Sequence, residues 1–206
     1  MKKIIYIYVL DTLADCEIGY ILQAISMQNI IKESKYIVKT VGIRKEPIKT
    51  LGGLTLIPDI SINEINENEI AALLLPGANT WHDEEQKLIL EKANLYVKRG
   101  ILVAAICGAT LALAELGILN NHSHTSNSIE YLSMFSKKYK GQSLYINELS
   151  VINDNVITAS SAGSLLWAKQ IIEYLNIYSA KTIQAWYNYY LTGDAKYYVK
   201  LMSSFE

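Results

Sequence analysis

Ile101-Leu102-Val103-Ala104-Ala105-Ile106-Cys107-Gly108-Ala109-Thr110 is the stretch on which the fold turns. An apolar run without polar alternation suits a strand buried on both faces of a parallel sheet. The small residues after it, and then an Ala- and Leu-rich segment, read as a helix. Cys107 therefore stands at a strand-to-helix turn. A helix N-terminus there offers free N–H groups and a partial positive charge. Such a setting lowers a cysteine pKa from ~8.5 into the ~3.5–7.5 range, and the thiolate is the nucleophile. Gly108 and Ala109 let a ligand approach the backbone. The same residues read equally as a small core cysteine at the end of a buried strand.

Working outward, residues 3–10 and 70–75 are similar bare apolar runs, the second stopped by Pro76-Gly77. Residues 15–31 carry Ile18, Ile21, Leu22, Ile25 and Ile30 at helical spacing. Residues 36–43 read as a strand, and Gly52-Gly53 marks a hairpin over 48–57. A long helix is expected over 80–98, ended by Gly100. Helix, short strand and helix follow through Lys138. Strands over 149–152 and 156–159 flank a turn, and helices over 161–175 and 180–191 close the chain. Strands alternating with helices predict one α/β domain over residues 1–206, a sandwich on a mainly parallel sheet. Ligands are then expected at the carboxyl ends of the strands.

Composition removes several function classes. Hydrophobic residues make up 50% of the 206 and charged residues 19%, which excludes intrinsic disorder. Lys and Arg total 19 against 20 Asp and Glu, a net charge of -1, which argues against nucleic-acid or membrane-surface binding. The longest apolar run, 101–114, is broken by Gly108 and Thr110 and falls short of the ~20 residues of a span. The apolar stretch behind Lys2 and Lys3 lacks a small-residue cleavage site and reads as a first strand, so the cytoplasm is the expected location. Two cysteines and three histidines make neither a disulfide framework nor a metal-ligand set, and no glycine-rich phosphate loop is present. No cofactor and no metal are expected.

Two further segments belong beside Cys107. Glu17 follows the first strand at the start of the first helix, at the same sheet edge. A carboxylate there can share a proton with a thiol; it also reads as an ordinary acid favoured by the helix dipole. Leu75-Pro76-Gly77-Ala78 ends another parallel strand. The N–H groups of Gly77 and Gly108 would make an oxyanion hole, or Pro76-Gly77 is a plain turn.

Together these segments resemble the ThiJ/PfpI superfamily, relatives of class I glutamine amidotransferases. The matching stretches are Ala14-Asp15-Cys16-Glu17, Leu75-Pro76-Gly77, Ala105-Ile106-Cys107-Gly108-Ala109-Thr110 and His124-Thr125-Ser126-Asn127. With Asn79-Thr80-Trp81, the last stretch is similar to the intracellular protease/amidase branch. The resemblance implies a flavodoxin-like three-layer sandwich with helices on both faces, a reactive Cys107, a partner carboxylate at Glu17, oxyanion donors at Gly77 and Gly108, and a homodimer. The chain departs from the pattern at its histidines, His82, His122 and His124. None lies far enough downstream for a Cys-His-Glu glutaminase triad. Gly108 follows the cysteine where some relatives have histidine, and Asn127 takes the place of a strand histidine. His124 remains the histidine candidate for catalysis, although three residues of regular strand would turn it to the opposite face.

Asn127 and Trp81 are expected to line the pocket. The aromatic stripe of Trp186, Tyr187, Tyr189 and Tyr190 suits helix packing or a subunit contact. The expected activity is that of a cysteine-dependent hydrolase or glyoxalase-like enzyme acting on a small carbonyl or amide compound. The alternative is a redox-responsive stress-protection protein in which Cys107 is oxidised.

Overall fold

The computed structural model describes residues 2–31 and 34–205. The first strand β1 (Lys3–Tyr8) leads to α1 (Asp15–Ser26), then β2 (Tyr36–Gly42), the short pair β3 (Ile48–Lys49) and β4 (Thr55–Leu56), and β5 (Ile60–Ser61). The middle of the chain carries β6 (Ile70–Leu75), α2 (Lys87–Lys98), β7 (Leu102–Ile106), α3 (Gly108–Glu115) and α4 (Ile129–Phe135). It ends with β8 (Ser150–Asn153), β9 (Val156–Ala159), α5 (Ser164–Tyr174), α6 (Ala180–Thr192) and α7 (Ala195–Met202).

Seven strands form one sheet in the order β5-β2-β1-β6-β7-β9-β8, and β3 with β4 makes a separate antiparallel hairpin. Every neighbouring pair in the large sheet is parallel except β8 with β9. The helices surround it, giving the flavodoxin-like α/β architecture. The apolar runs explain the centre: from its second residue onward β1 is buried, as is all of β7. From β1 the chain winds outward to β2 and later restarts on the other side at β6. Such a reversal opens a crevice at the carboxyl ends of the strands. Leu75 pairs with Ala105 and Ile106 with Ala159, so β6, β7 and β9 end side by side.

The structure departs from the sequence expectations in several places, and the short strand expected between α3 and α4 is reduced to an isolated bridge of His124 with Tyr145. The helix expected over 80–98 begins only at Lys87, after a short 3₁₀ turn at Glu84–Gln86. Tertiary bonds hold the preceding residues: Thr80 Oγ1 donates to the Asp11 carbonyl and Trp81 Nε1 to the Pro76 carbonyl. The helix expected over 15–31 stops at Ser26, and Ile30 is exposed. A short β5 pairs with β2, and α7 follows α6. The aromatic stripe follows the first of its two expected readings and packs within the chain: Trp186 is fully buried and its Nε1 donates to Gln23, while Tyr190 packs on Tyr20 and Tyr189 on Tyr198. Among the described residues, no helix is long and apolar enough to cross a membrane.

Candidate active site

Cys107 closes β7 and caps α3 with φ 55° and ψ −123°. A non-glycine residue at positive φ is strained, and the surroundings must hold it there. Its N–H donates to the Ala159 carbonyl at the end of β9, and its carbonyl accepts from Thr110 Oγ1 at 2.6 Å. Thr110 Oγ1 in turn lies 2.7 Å from Ser126 Oγ, tying the elbow to the loop after α3. This pinned turn lifts the side chain out of the sheet, half-exposed.

Glu17 comes from the first turn of α1 and is 1% exposed. The loop that delivers it is stitched to the loop after β6. Ala14 N–H donates to the Gly77 carbonyl at 2.9 Å, and Asn79 N–H to Thr12 Oγ1 at 2.8 Å. Gly77 then donates its N–H to Glu17 Oε2 at 2.6 Å. On its other side Glu17 shares a hydrogen bond with the Cys107 thiol. Gly77 lies between the two: a Cβ added there would fall 2.7 Å from Glu17 Oε2 and 2.8 Å from Cys107 Cβ. Glycine is required by this close approach.

Asn127 completes the set. Its Nδ2 donates to Cys107 Sγ at 3.3 Å, and its Oδ1 accepts from the Ser161 N–H at 2.8 Å. Burial pushes the Glu17 carboxyl above the usual range, against the Gly77 and Cys107 hydrogen bonds. Burial also pushes the Cys107 thiol up, and the Glu17 charge adds to this, while Asn127 and the Gly108 N–H oppose it. The thiol depressed by its helix, expected from sequence, is therefore corrected. Desolvation and the adjacent Glu17 outweigh the helix end.

Gly77 needs a second correction. Its N–H is engaged by Glu17 rather than free for an oxyanion, whereas the Gly108 N–H faces the Cys107 thiol. His124 lies apart from this group. It is fully buried, with Nδ1 2.7 Å from the His122 carbonyl and Nε2 2.8 Å from the Tyr139 hydroxyl. A carbonyl only accepts, so Nδ1 carries the proton and Nε2 accepts from tyrosine. Both nitrogens are engaged away from Cys107, which corrects its catalytic assignment.

Beside the elbow a cavity of about 210 Å³ is bordered by Trp81, Gly108, Leu111, Tyr131 and Phe135 together with the polar Asn79 and His82. Tyr131 and Phe135 escaped the sequence reading. Their one signal is Ser128, which accepts from the Tyr131 N–H and so starts α4 beside the cysteine. Tyr131 is near enough to feel the charge of Cys107, and burial pushes its phenol up. Among the described residues, no group of three His, Cys, Asp or Glu side chains is placed to hold a metal ion.

A strained cysteine, a buried glutamate and a close-packed glycine thus meet at the ends of three parallel strands. The DJ-1/PfpI family profile matches residues 2–174. The chain belongs to the DJ-1/PfpI family. Among its relatives, an uncharacterized protease, YoaZ, of Bacillus subtilis is 37% identical over 202 residues, 97% of this chain and 96% of its own. A glutathione-independent glyoxalase, DJR-1.2, of Caenorhabditis elegans is 26% identical over 136 residues, 65% of this chain and 70% of its own. The crystal structure of a thiJ/pfpI family protein from Bacillus anthracis superposes with a TM-score of 0.92 at 37% identity, covering 99% of this chain and 97% of that one. Family membership supports an enzymatic or stress-protein role at the coarse level; the relatives' names are protease, glyoxalase and DJ-1alpha.

Proposed function

We propose that the protein is a cysteine-dependent enzyme acting on a small carbonyl or amide compound, with Cys107 as nucleophile and Glu17 as its base. The observation that carries this reading is the Cys107 thiol held between Glu17 and Asn127 at a strained elbow beside a cavity. A raised thiol needs a base at the moment of attack, and a buried carboxylate hydrogen-bonded to it meets that need. As Sγ bonds to the carbonyl carbon, its proton passes to Glu17 and the carbonyl π electrons move to oxygen, facing the Gly108 N–H. With an amide, the tetrahedral adduct expels the amine, which takes the proton from Glu17. Water then hydrolyses the thioester and restores the thiol. With a 2-oxoaldehyde, Glu17 moves a proton from the first carbon to the second, and hydrolysis of the resulting thioester releases a 2-hydroxy acid.

The redox reading fits this site less well. An oxidation sensor works through a resting thiolate, and burial with Glu17 disfavours that form here. A homodimer is part of the proposal; exposed Leu51, Leu54 and Ile57 beside the loop that carries Glu17 support it, and light scattering tests it. The deciding experiment is turnover of methylglyoxal and of small amides by wild type and Cys107→Ala. Measurable turnover lost in the variant supports the proposal. Absence of turnover with either class, combined with stoichiometric peroxide oxidation of Cys107, overturns it in favour of the redox reading.

A further inference from the structure

Three aromatic rings, Trp81, Tyr131 and Phe135, line the cavity beside Gly108. Tyr131 and Phe135 stand with ring centroids 5.5 Å apart and planes tilted by 56°. Trp81 faces them with its ring immobilised, because Nε1 donates to the Pro76 carbonyl at 2.9 Å. That bond also occupies the indole's only polar atom. Leu111, from the first turn of α3, supplies an aliphatic wall. Glycine at 108 keeps this boundary open toward the elbow: a Cβ there would meet the Ala78 carbonyl at 2.7 Å and Trp81 Cδ1 at 3.6 Å. Asn79 and His82 add polar groups to the lining.

Size narrows the occupant further. The cavity holds about 210 Å³, and an apolar cavity of about 150 Å³ is enough to bind benzene. A methyl group would leave most of the space unfilled. A ring, whose faces and edges favour tilted contact with other rings, matches both the volume and the walls.

Resting on the reading of Cys107 as nucleophile, we infer that this cavity is a subsite for an aromatic ring carried a few bonds from the electrophilic carbon, so that the preferred substrates are aryl-bearing carbonyl or amide compounds. Cys107 precedes Gly108 on the cavity boundary and lies near enough to Tyr131 for its charge to be felt there, so a ring seated between Trp81 and Tyr131 lies close to the sulfur. Phe135 is more than half exposed and closes the outer side, where a ring would shield it from water.

The test uses chloroacetamide and N-benzyl-chloroacetamide as probes. Each transfers its methylene carbon to sulfur with loss of chloride, so no turnover is required. Cys16, a free and exposed thiol, serves as an internal control in the same molecule. Rates at each cysteine are read by peptide mapping. At Cys107 the benzyl probe should saturate and react roughly tenfold or more faster than the small one, the scale of discrimination that apolar pockets achieve. At Cys16 the two rates should be nearly equal. Tyr131→Ala, and separately the surface variant Phe135→Ala, should bring the Cys107 preference toward that of Cys16. Benzyl alcohol should protect Cys107 and leave Cys16 unprotected. Equal preference at the two cysteines in wild type, or a Cys107 preference unchanged in both variants, overturns the subsite while leaving the nucleophile intact. Labelling of Cys16 with none at Cys107 overturns the nucleophile and the subsite together.

Discussion

Asn127 holds its Nδ2 3.3 Å from Cys107 Sγ because its Oδ1 is claimed by the Ser161 N–H. The backbone donor determines which end of the amide faces the sulfur. A side-chain amide does not titrate in the working range, so this donor is present at every pH. A histidine in the same place would act as a donor only in one protonation or tautomeric form.

Replacing Asn127 by Leu should therefore push the Cys107 thiol higher still. A hydrogen bond to a charged group contributes about 1.5–3 kcal/mol, and one pH unit corresponds to about 1.4 kcal/mol. Alkylation of Cys107 at neutral pH should slow by roughly tenfold, with the midpoint of its pH profile displaced upward by about one unit. A profile that coincides with wild type would remove Asn127 from the site.

Glu17→Gln should separate stability from activity. The folded protein raises the Glu17 carboxyl through burial, so it binds that proton more tightly than the unfolded chain does. The stability this contributes is complete below the ordinary glutamate range and is lost as pH rises through the folded value. Glutamine preserves an acceptor for the Gly77 N–H and carries no charge. The variant should melt higher than wild type at neutral pH, with the gain vanishing near about pH 4. Its thiol should titrate lower, since the Glu17 charge and hydrogen bond no longer hold it up, and turnover should fall by about 10²–10⁴-fold. Identical melting differences at both pH values would show that Glu17 is not buried as a carboxylate.

Gly77→Ala tests the tight approach itself. The new methyl would sit 2.7 Å from Glu17 Oε2 and 2.8 Å from Cys107 Cβ, with neither neighbour free to withdraw. Overpacking of this kind costs about 1–3 kcal/mol. Urea denaturation should show that loss, and the pH dependence of Cys107 alkylation should lose its coupling to Glu17. A variant as stable and as reactive as wild type would mean that the loop after β6 can move aside.

The buried strands were the most legible part of this chain. In β1, β6 and β7 the apolar runs are continuous because both faces are covered, and nothing in the local sequence competes with that pattern. The segment before α2 was misread because its conformation depends on distant partners: Thr80 bonds to Asp11 and Trp81 to Pro76. Cys107 and Glu17 could be placed at one sheet edge from topology alone. The direction of the Gly77 N–H could not, since it depends on how two loops meet. Asn127 was expected at the pocket, but which end of its amide faces the sulfur depends on the distant Ser161 N–H; Tyr131 and Phe135 sit on α4, whose placement beside the cavity is set by the non-periodic loop before it.

His124 supplies the opposite pH dependence to Glu17. Burial lowers its pKa, so the neutral ring is retained in the fold while the unfolded chain takes up a proton below about pH 6.5. Stability is therefore lost as pH falls from that value toward the folded one. Its Nδ1–H reaches the His122 carbonyl and its Nε2 receives the Tyr139 hydroxyl, which joins the loop after α3 to the segment before β8. His124→Phe conserves a ring but orphans both partners. The expected cost is about 1–3 kcal/mol, the penalty of leaving a buried polar group unpaired. Between about pH 6.5 and 5 the variant should also lose less stability than wild type, because the ionisable ring is gone. The alkylation rate of folded Cys107 should stay at its wild-type value, since His124 bonds to no part of the thiol site. A variant of undiminished stability that has lost turnover would reverse this assignment and return His124 to the catalytic group.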